Sequence, residues 1–112
     1  MTVKDLIDSD IFEAVNAGMH TETKIEGVYC CDMLSLALAR VSEDCAWITV
    51  ICNINTLAVA YRTKAACVII AEGVTADENF RKEAKSHDIT VFRTTLPVFE
   101  AALKIHNIVK DG

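Results

Sequence analysis

Residues 46–71, AWITVICNINTLAVAYRTKAACVIIA, carry the pattern that decides the fold. The run at 46–52 is almost continuously apolar, and so is the run at 66–71. Between them, residues 54–64 form a predicted helix that follows Asn53, a residue type favoured at helix N-caps. A strand that is apolar on both faces is typical of a parallel sheet covered by helices. The stretch therefore predicts a β-α-β unit with two buried parallel strands.

Similar elements continue this unit in both directions along the chain. The order from residue 25 onward is β-α-β-α-β-α-β-α with short connections. This order predicts an α/β fold, a mostly parallel sheet with helices on both faces, after an N-terminal helix. The further predicted strands are 25–31 and 89–93, and the further helices are Val3–Ser9, 33–41, 77–87 and a last one that begins near Pro97.

Caps and one short segment complete the prediction. Thr2 is the expected N-cap of the first helix, and Asp32 is the expected N-cap of helix 33–41. Residues 11–15 are compatible with either a helical turn or a strand.

Length and charge limit the number of domains and the kinds of partner. At about 100–200 residues per domain, 112 residues predict one domain, with an N-terminal segment at 1–24 and a core at 25–112. The net charge of −5 argues against nucleic acid and against an anionic membrane surface, since both need clustered Lys and Arg. The N-terminus lacks the basic and apolar regions of a signal peptide, and no apolar run approaches the ~20 residues of a membrane span. We therefore expect a cytoplasmic protein.

The five cysteines show no spacing typical of a disulfide scaffold or a zinc site, and no CxxC occurs. We interpret them mainly as small buried hydrophobic residues in a reducing compartment. Cys52 differs because it lies between a predicted strand and a helix N-terminus, where the helix dipole lowers a thiol pKa. No base is close to it in the sequence.

Two predicted helices are apolar almost all round. Helix 33–41 has only Ser35 and Arg40 as polar residues, and helix 54–64 begins with the largely apolar run INTLAVAY. A helix that is apolar on every side must be buried on every side. We infer that one or both helices lie in a homodimer interface. The alternative is that the N-terminal segment covers them within one chain.

Known catalytic motifs are missing from the sequence. It contains no GxxxxGK[ST] or GxGxxG phosphate loop, no GxSxG elbow and no HExxH zinc motif. We therefore predict no catalytic residue, no cofactor and no metal site.

A ligand site is still expected at the carboxyl ends of the strands, because ligands of parallel α/β sheets bind there beside helix N-termini. Hydroxyls, amides and free N–H groups at this edge suit a small polar or nucleotide-like ligand. The alternative is that these residues only cap helices. The candidate binding residues are Thr49, Asn53, Asn55, Thr56, Gly73, Thr75, Thr94 and Thr95.

The stretches GVYCCDMLSLALA (27–39), 46–84 and ITVFRTTLPVFEAALKI (89–105) resemble the DRTGG domain family in order and texture. Five residues match positions of the family's sequence pattern: Ser35, Asn55, Gly73, Ala84 and Thr94. The pentad that gives the family its name is absent, and its turn appears here as Ala71-Glu72-Gly73, where an acid repels phosphate.

This resemblance implies an α/β accessory or regulatory module. DRTGG domains occur beside phosphate acetyltransferase and pyrophosphatase catalytic domains, are similar to the N-terminal domain of HPr kinase, and are commonly dimeric. The resemblance does not imply kinase activity, since the chain lacks the phosphate-binding domain that a kinase needs.

The leading hypothesis is therefore a dimeric regulatory module without turnover, which binds a small molecule or a metabolic enzyme. A pure dimerisation scaffold is the second hypothesis. A small thiol- or phosphate-chemistry enzyme that uses Cys52 or the loop at 53–56 is the third.

Overall fold

The computed structural model describes residues 1–111 and contains one five-stranded sheet with the order β1-β5-β4-β3-β2. Strands β2 to β5 are parallel to one another, and β1 pairs with β5 in the antiparallel sense. The predicted mostly parallel α/β fold is therefore confirmed. The elements are α1 (Val3–Ser9), β1 (Glu13–Asn16), β2 (Gly27–Cys30), α2 (Leu34–Arg40), β3 (Cys45–Thr49), α3 (Ile54–Thr63), β4 (Cys67–Ile70), α4 (Glu78–Ser86), β5 (Val91–Arg93) and α5 (Val98–Asp111).

The N-terminal segment contributes to the core. Val3 and Leu6 on α1 are fully buried, and Thr2 caps the helix in a capping box with Asp5. The ambiguous segment at 11–15 contributes to strand β1, which closes one edge of the sheet.

Alternating residues of β3 face two separate cores. Trp47 packs on one face of the sheet with Leu57, and Ile48 packs on the other with Ile105. Every residue of β3 is buried, as its apolar sequence predicts.

The helices are divided between these two cores. Helices α2, α3 and α4 supply buried residues to the Trp47 core, whereas α1 and α5 supply buried residues to the Ile48 core. Because α1 lies on the opposite face, and Leu38, Ile54 and Tyr61 remain exposed, the N-terminal segment does not cover the outer surfaces of α2 and α3. The alternative explanation for their apolar character is therefore wrong within residues 1–111.

Two sequence predictions at the end of β3 need correction. The strand ends at Thr49, three residues early, because Val50 N–H donates to the Asp32 carboxylate at 2.9 Å and Ile51 N–H donates to the Thr49 hydroxyl at 3.2 Å. Asp32 is thereby engaged and does not cap α2. The N-cap of α2 is Met33, which makes no side-chain capping bond.

None of the helices within residues 1–111 is both long and apolar enough to cross a membrane.

Candidate ligand edge and association surface

The carboxyl ends of the central strands bring Thr49, Gly73 and Thr94 to one edge of the sheet. Ala71 N–H donates to Thr49 O at 3.1 Å, and Gly73 N–H donates to Thr94 O at 3.0 Å. These bonds connect the ends of β3, β4 and β5. The prediction that these residues meet at one edge agrees with this geometry.

Four of the predicted ligand residues have side chains that already bond within the fold. The Thr49 hydroxyl donates to Asp32 Oδ1 at 2.7 Å, and the Thr56 hydroxyl donates to Ile51 O at 2.5 Å. Asn53 Oδ1 caps α3 by accepting from the N–H groups of Asn55 and Thr56. The Thr94 hydroxyl accepts from Leu96 N–H at 3.2 Å. Thr49, Thr56 and Thr94 are buried, so these side chains hold the loops in place.

The other candidates are more accessible. Asn55, Thr75 and Thr95 are exposed, and their side chains make no hydrogen bond to any other described residue. Gly73 is half-buried and has a φ of +73°, a left-handed conformation that favours glycine. Glu72 before it is also left-handed, with a φ of +63°. Any ligand at this edge therefore meets one amide, two hydroxyls and a tight double turn.

Carboxylates take the positions at which an anionic ligand would be held. Glu72 Oε2 accepts from Val98 N–H at 2.8 Å, so an acidic side chain of the protein occupies the N-terminus of α5. Asp77 Oδ1 caps α4 by accepting from Phe80 N–H at 2.8 Å. Asp32, in the loop after β2, bonds to the end of β3, so this edge carries three carboxylates, which disfavour phosphate.

Arg93 is a cation at this edge, as is Arg81 on α4, and the Arg93 guanidinium is held by the fold. Nε donates to Val74 O at 2.9 Å, Nη2 donates to Gly73 O at 3.0 Å, and Nη1 pairs with Glu13 at 3.2 Å. These three bonds fix the turn after β4 and join it to β1. The sequence places Arg93 at the end of β5 but carries no signal for these partners.

Burial raises the pKa of several of the cysteine thiols. Burial, followed by the neighbouring Asp77 carboxylate, raises the pKa of the Cys52 thiol, the opposite of the change that a helix dipole alone would cause. Burial also raises the pKa of Cys67, and that of Cys45 to about 11. Within residues 1–111, no three His, Cys, Asp or Glu side chains cluster as a metal site would require.

A cavity that the sequence did not predict lies at the opposite, amino-terminal edge of the sheet. It has a volume of about 590 Å³, and its lining includes His20, Tyr61, Lys64, His87 and Asp88. It forms where the connector before β2 meets the ends of α3 and α4. Four separate segments build it, at 20–23, 43, 60–66 and 87–90, so no local motif marks it.

Asp88 holds the connector against this cavity. Its carboxylate accepts from Met19 N–H at 2.8 Å and pairs with His20 Nε2 at 3.1 Å. Gly18 approaches so closely that a Cβ there would lie 2.9 Å from Asp88 Oδ1 and from Thr90 Oγ1. These contacts give His20 and Asp88 a structural role at the rim.

The outer surface of α2 and α3 is apolar and exposed. Leu38 is 43%, Ile54 is 52% and Tyr61 is 64% exposed. Grooves flank α3 on both sides, one of about 340 Å³ against α4 and one of about 270 Å³ against α2. Ala58 and Arg62 line both grooves. Clusters of exposed apolar side chains of this kind mark interaction surfaces.

The chain matches no protein-family model and none of the curated proteins with which it was compared. A solved structure does match: the CBS and DRTGG domains of the regulatory region of a Clostridium perfringens pyrophosphatase, in complex with the activator diadenosine tetraphosphate. The sequences are 22% identical, the TM-score is 0.71, and the match covers 89% of this chain and 44% of that one.

The fold is DRTGG-like. The likeness confirms the resemblance that the sequence stretches carry, at the level of the fold. The chain spans less than half of the length of the pyrophosphatase regulatory region.

Proposed function

We propose that this DRTGG-like chain is a regulatory module that acts without catalytic turnover, by associating with a second copy of itself. The observation that carries the proposal is the exposed apolar surface of α2 and α3, which no other element within residues 1–111 covers. Helices with apolar outer surfaces are typical of subunit interfaces. The fold shared with a regulatory region supports a regulatory role.

Sedimentation equilibrium tests the homodimer directly. We expect a species of twice the 12.3 kDa chain mass at micromolar concentration. A species that remains monomeric at about 100 µM, a concentration that saturates stable interfaces of ordinary size, would contradict the proposal.

Binding of a small ligand at the carboxyl edge is a second function that we propose, and the pyrophosphatase region with its bound activator favours it. The accessible contacts are Asn55, Gly73, Thr75 and Thr95. The carboxylates of Asp32, Glu72 and Asp77 favour a ligand of low negative charge over a polyphosphate.

A thermal-shift series separates the ligand sensor from a pure scaffold. A ligand that binds the native state raises the melting temperature. The series compares adenosine, adenosine monophosphate and diadenosine tetraphosphate, and we expect adenosine to give the largest shift. A Thr75→Val and Thr95→Val double variant is the control, since loss of these exposed hydroxyls lowers the shift without lowering the stability of the free protein. No shift with any of these compounds, at concentrations up to solubility, favours the scaffold.

The enzyme alternative has little support from the described residues. Its candidate nucleophile, Cys52, is partly buried and has a raised pKa. Slow labelling of Cys52 by a thiol reagent at neutral pH is the expected result, and rapid labelling would revive that alternative.

A further inference from the structure

The exposed side chains of α3 are spaced symmetrically about Ala58, so their pattern is the same in both directions along the helix. Ile54, Ala58 and Arg62 are separated by equal steps of four residues, and Tyr61 extends the apolar part of the stripe. Residues four apart lie on one face of a helix, about 6 Å apart along its axis. The smallest of these side chains, Ala58, lies at the centre.

We infer that two copies pack α3 against α3 in antiparallel orientation, around a two-fold axis close to Ala58. This inference rests on the proposed homodimer and names its surface. In a two-fold contact each residue meets a counterpart across the axis, so the same patch must complement itself. Antiparallel pairing centred on Ala58 places Ile54 against the turn of the partner helix that carries Tyr61 and Arg62.

The grooves on both sides of α3 fit this arrangement. The groove between α3 and α4 is lined mainly by Ile54, Leu57, Ala58 and Tyr61. A ridge of side chains on one helix packs into such a groove on another, and alanine at the crossing point permits a close approach. The same contact places the ridge of each copy in the groove of the other.

The charges of the surface complement one another across the same axis. Arg62 on α3 and Glu83 on α4 line opposite walls of the groove. Glu83 pairs with His87 of its own helix at 3.4 Å, whereas the guanidinium of Arg62 makes no salt bridge within residues 1–111. The Tyr61 and His87 rings are in contact, with centroids 6.0 Å apart. Both helices connect neighbouring parallel strands and so run in the same direction.

The contact between Tyr61 and His87 indicates which residues of α3 and α4 lie at the same level along the two helix axes. Glu83 lies one turn before His87 and is therefore level with position 57 of α3. Antiparallel pairing centred on Ala58 puts the partner's Arg62 level with Ile54. The offset of three residues is about 4.5 Å along the axis, within the length of an arginine side chain. A second copy thus supplies a counter-ion as well as an apolar ridge.

Variant Ala58→Arg tests the contact at its centre. Ala58 is exposed, so the change adds no atom to the core. At the two-fold axis it places two like charges in an apolar contact, and we expect the dimer dissociation constant, measured by sedimentation equilibrium, to rise at least about 30-fold. Leu103→Arg is the matched control, because Leu103 is also an exposed apolar residue on a helix, on α5 at the other face. That variant is expected to leave the constant within about threefold of wild type.

A charge exchange gives an independent test that does not depend on Ala58. We expect Arg62→Glu and Glu83→Arg each to weaken the dimer about fivefold and the double variant to restore it. Circular dichroism of all variants confirms that they are folded.

The outcomes of these experiments distinguish an error in the α3 contact from an error in the proposed homodimer. A dimer that tolerates Ala58→Arg, shows no restoration in the double exchange, or is broken by Leu103→Arg overturns the α3 contact and leaves the proposed homodimer in place. A wild-type protein that is monomeric at about 100 µM overturns both.

Discussion

Thr49 provides a test of whether the hydroxyls at the carboxyl edge stabilise the fold or are free to bind a ligand. Its side chain is fully buried, donates to Asp32 Oδ1 at 2.7 Å and accepts from Ile51 N–H at 3.2 Å. Thr49→Val keeps the shape of the side chain and removes both bonds. A hydrogen bond to a charged group contributes about 1.5–3 kcal/mol, so we expect a loss of about 2–3 kcal/mol in the free energy of unfolding.

Urea unfolding at one fixed protein concentration measures this loss. For a domain of this size, about 2–3 kcal/mol corresponds to a fall of roughly 8–12 °C in the melting temperature. The matched control is Thr75→Val, the same substitution at an exposed predicted ligand residue, which should change the free energy of unfolding by less than about 0.5 kcal/mol. If both variants are as stable as wild type, the structural role assigned to Thr49 is refuted.

Three further predictions concern the loops and the buried thiols. Glu72→Gln removes the charge that faces the N-terminus of α5 and should cost about 0.5–1 kcal/mol in urea unfolding, an effect that vanishes if Val98 N–H is not capped. Lys64→Gly should stabilise the protein by about 0.5–1 kcal/mol, because Lys64 has a φ of +57° at the C-cap of α3; a destabilised variant would contradict this. The pKa of Cys45 is raised from 9.0 to about 11, so the native state retains a proton that the unfolded chain loses, and the free energy of unfolding should fall as the pH rises from 9 to 11. Cys45→Ala should show a smaller fall over that range, and an equal fall would exclude this thiol as the cause.

The fold could be predicted because the patterns that indicate its strands and helices are short and continuous along the sequence. The two apolar runs around Asn53 contain the buried strands β3 and β4, and Asn53 caps the helix between them, as the sequence indicates. The strand β1 was ambiguous because EAVN is short and half exposed. Its pairing with β5 depends on a contact that no local pattern records.

The candidate edge was predictable only in outline. The sequence places Thr49, Gly73 and Thr94 at strand ends, and parallel strands bring those ends together. It does not reveal that Glu72 turns back to α5 or that Arg93 bonds two carbonyls of the preceding turn, since both depend on backbone angles there. The cavity at the amino-terminal edge is still harder to predict, because its four segments meet only in the finished fold.

The pairing of β1 with β5 has a consequence for synthesis on the ribosome. Glu13 and its partner Arg93 are 80 residues apart, and the buried residues of α1 share a core with Ile105 of α5. At about 5–20 residues per second, the first elements wait about 4–16 s before their partners are made. During that time the nascent chain carries Val3, Leu6 and Phe12 without their final cover, so the core that they share is completed only after β5 and α5 have been made.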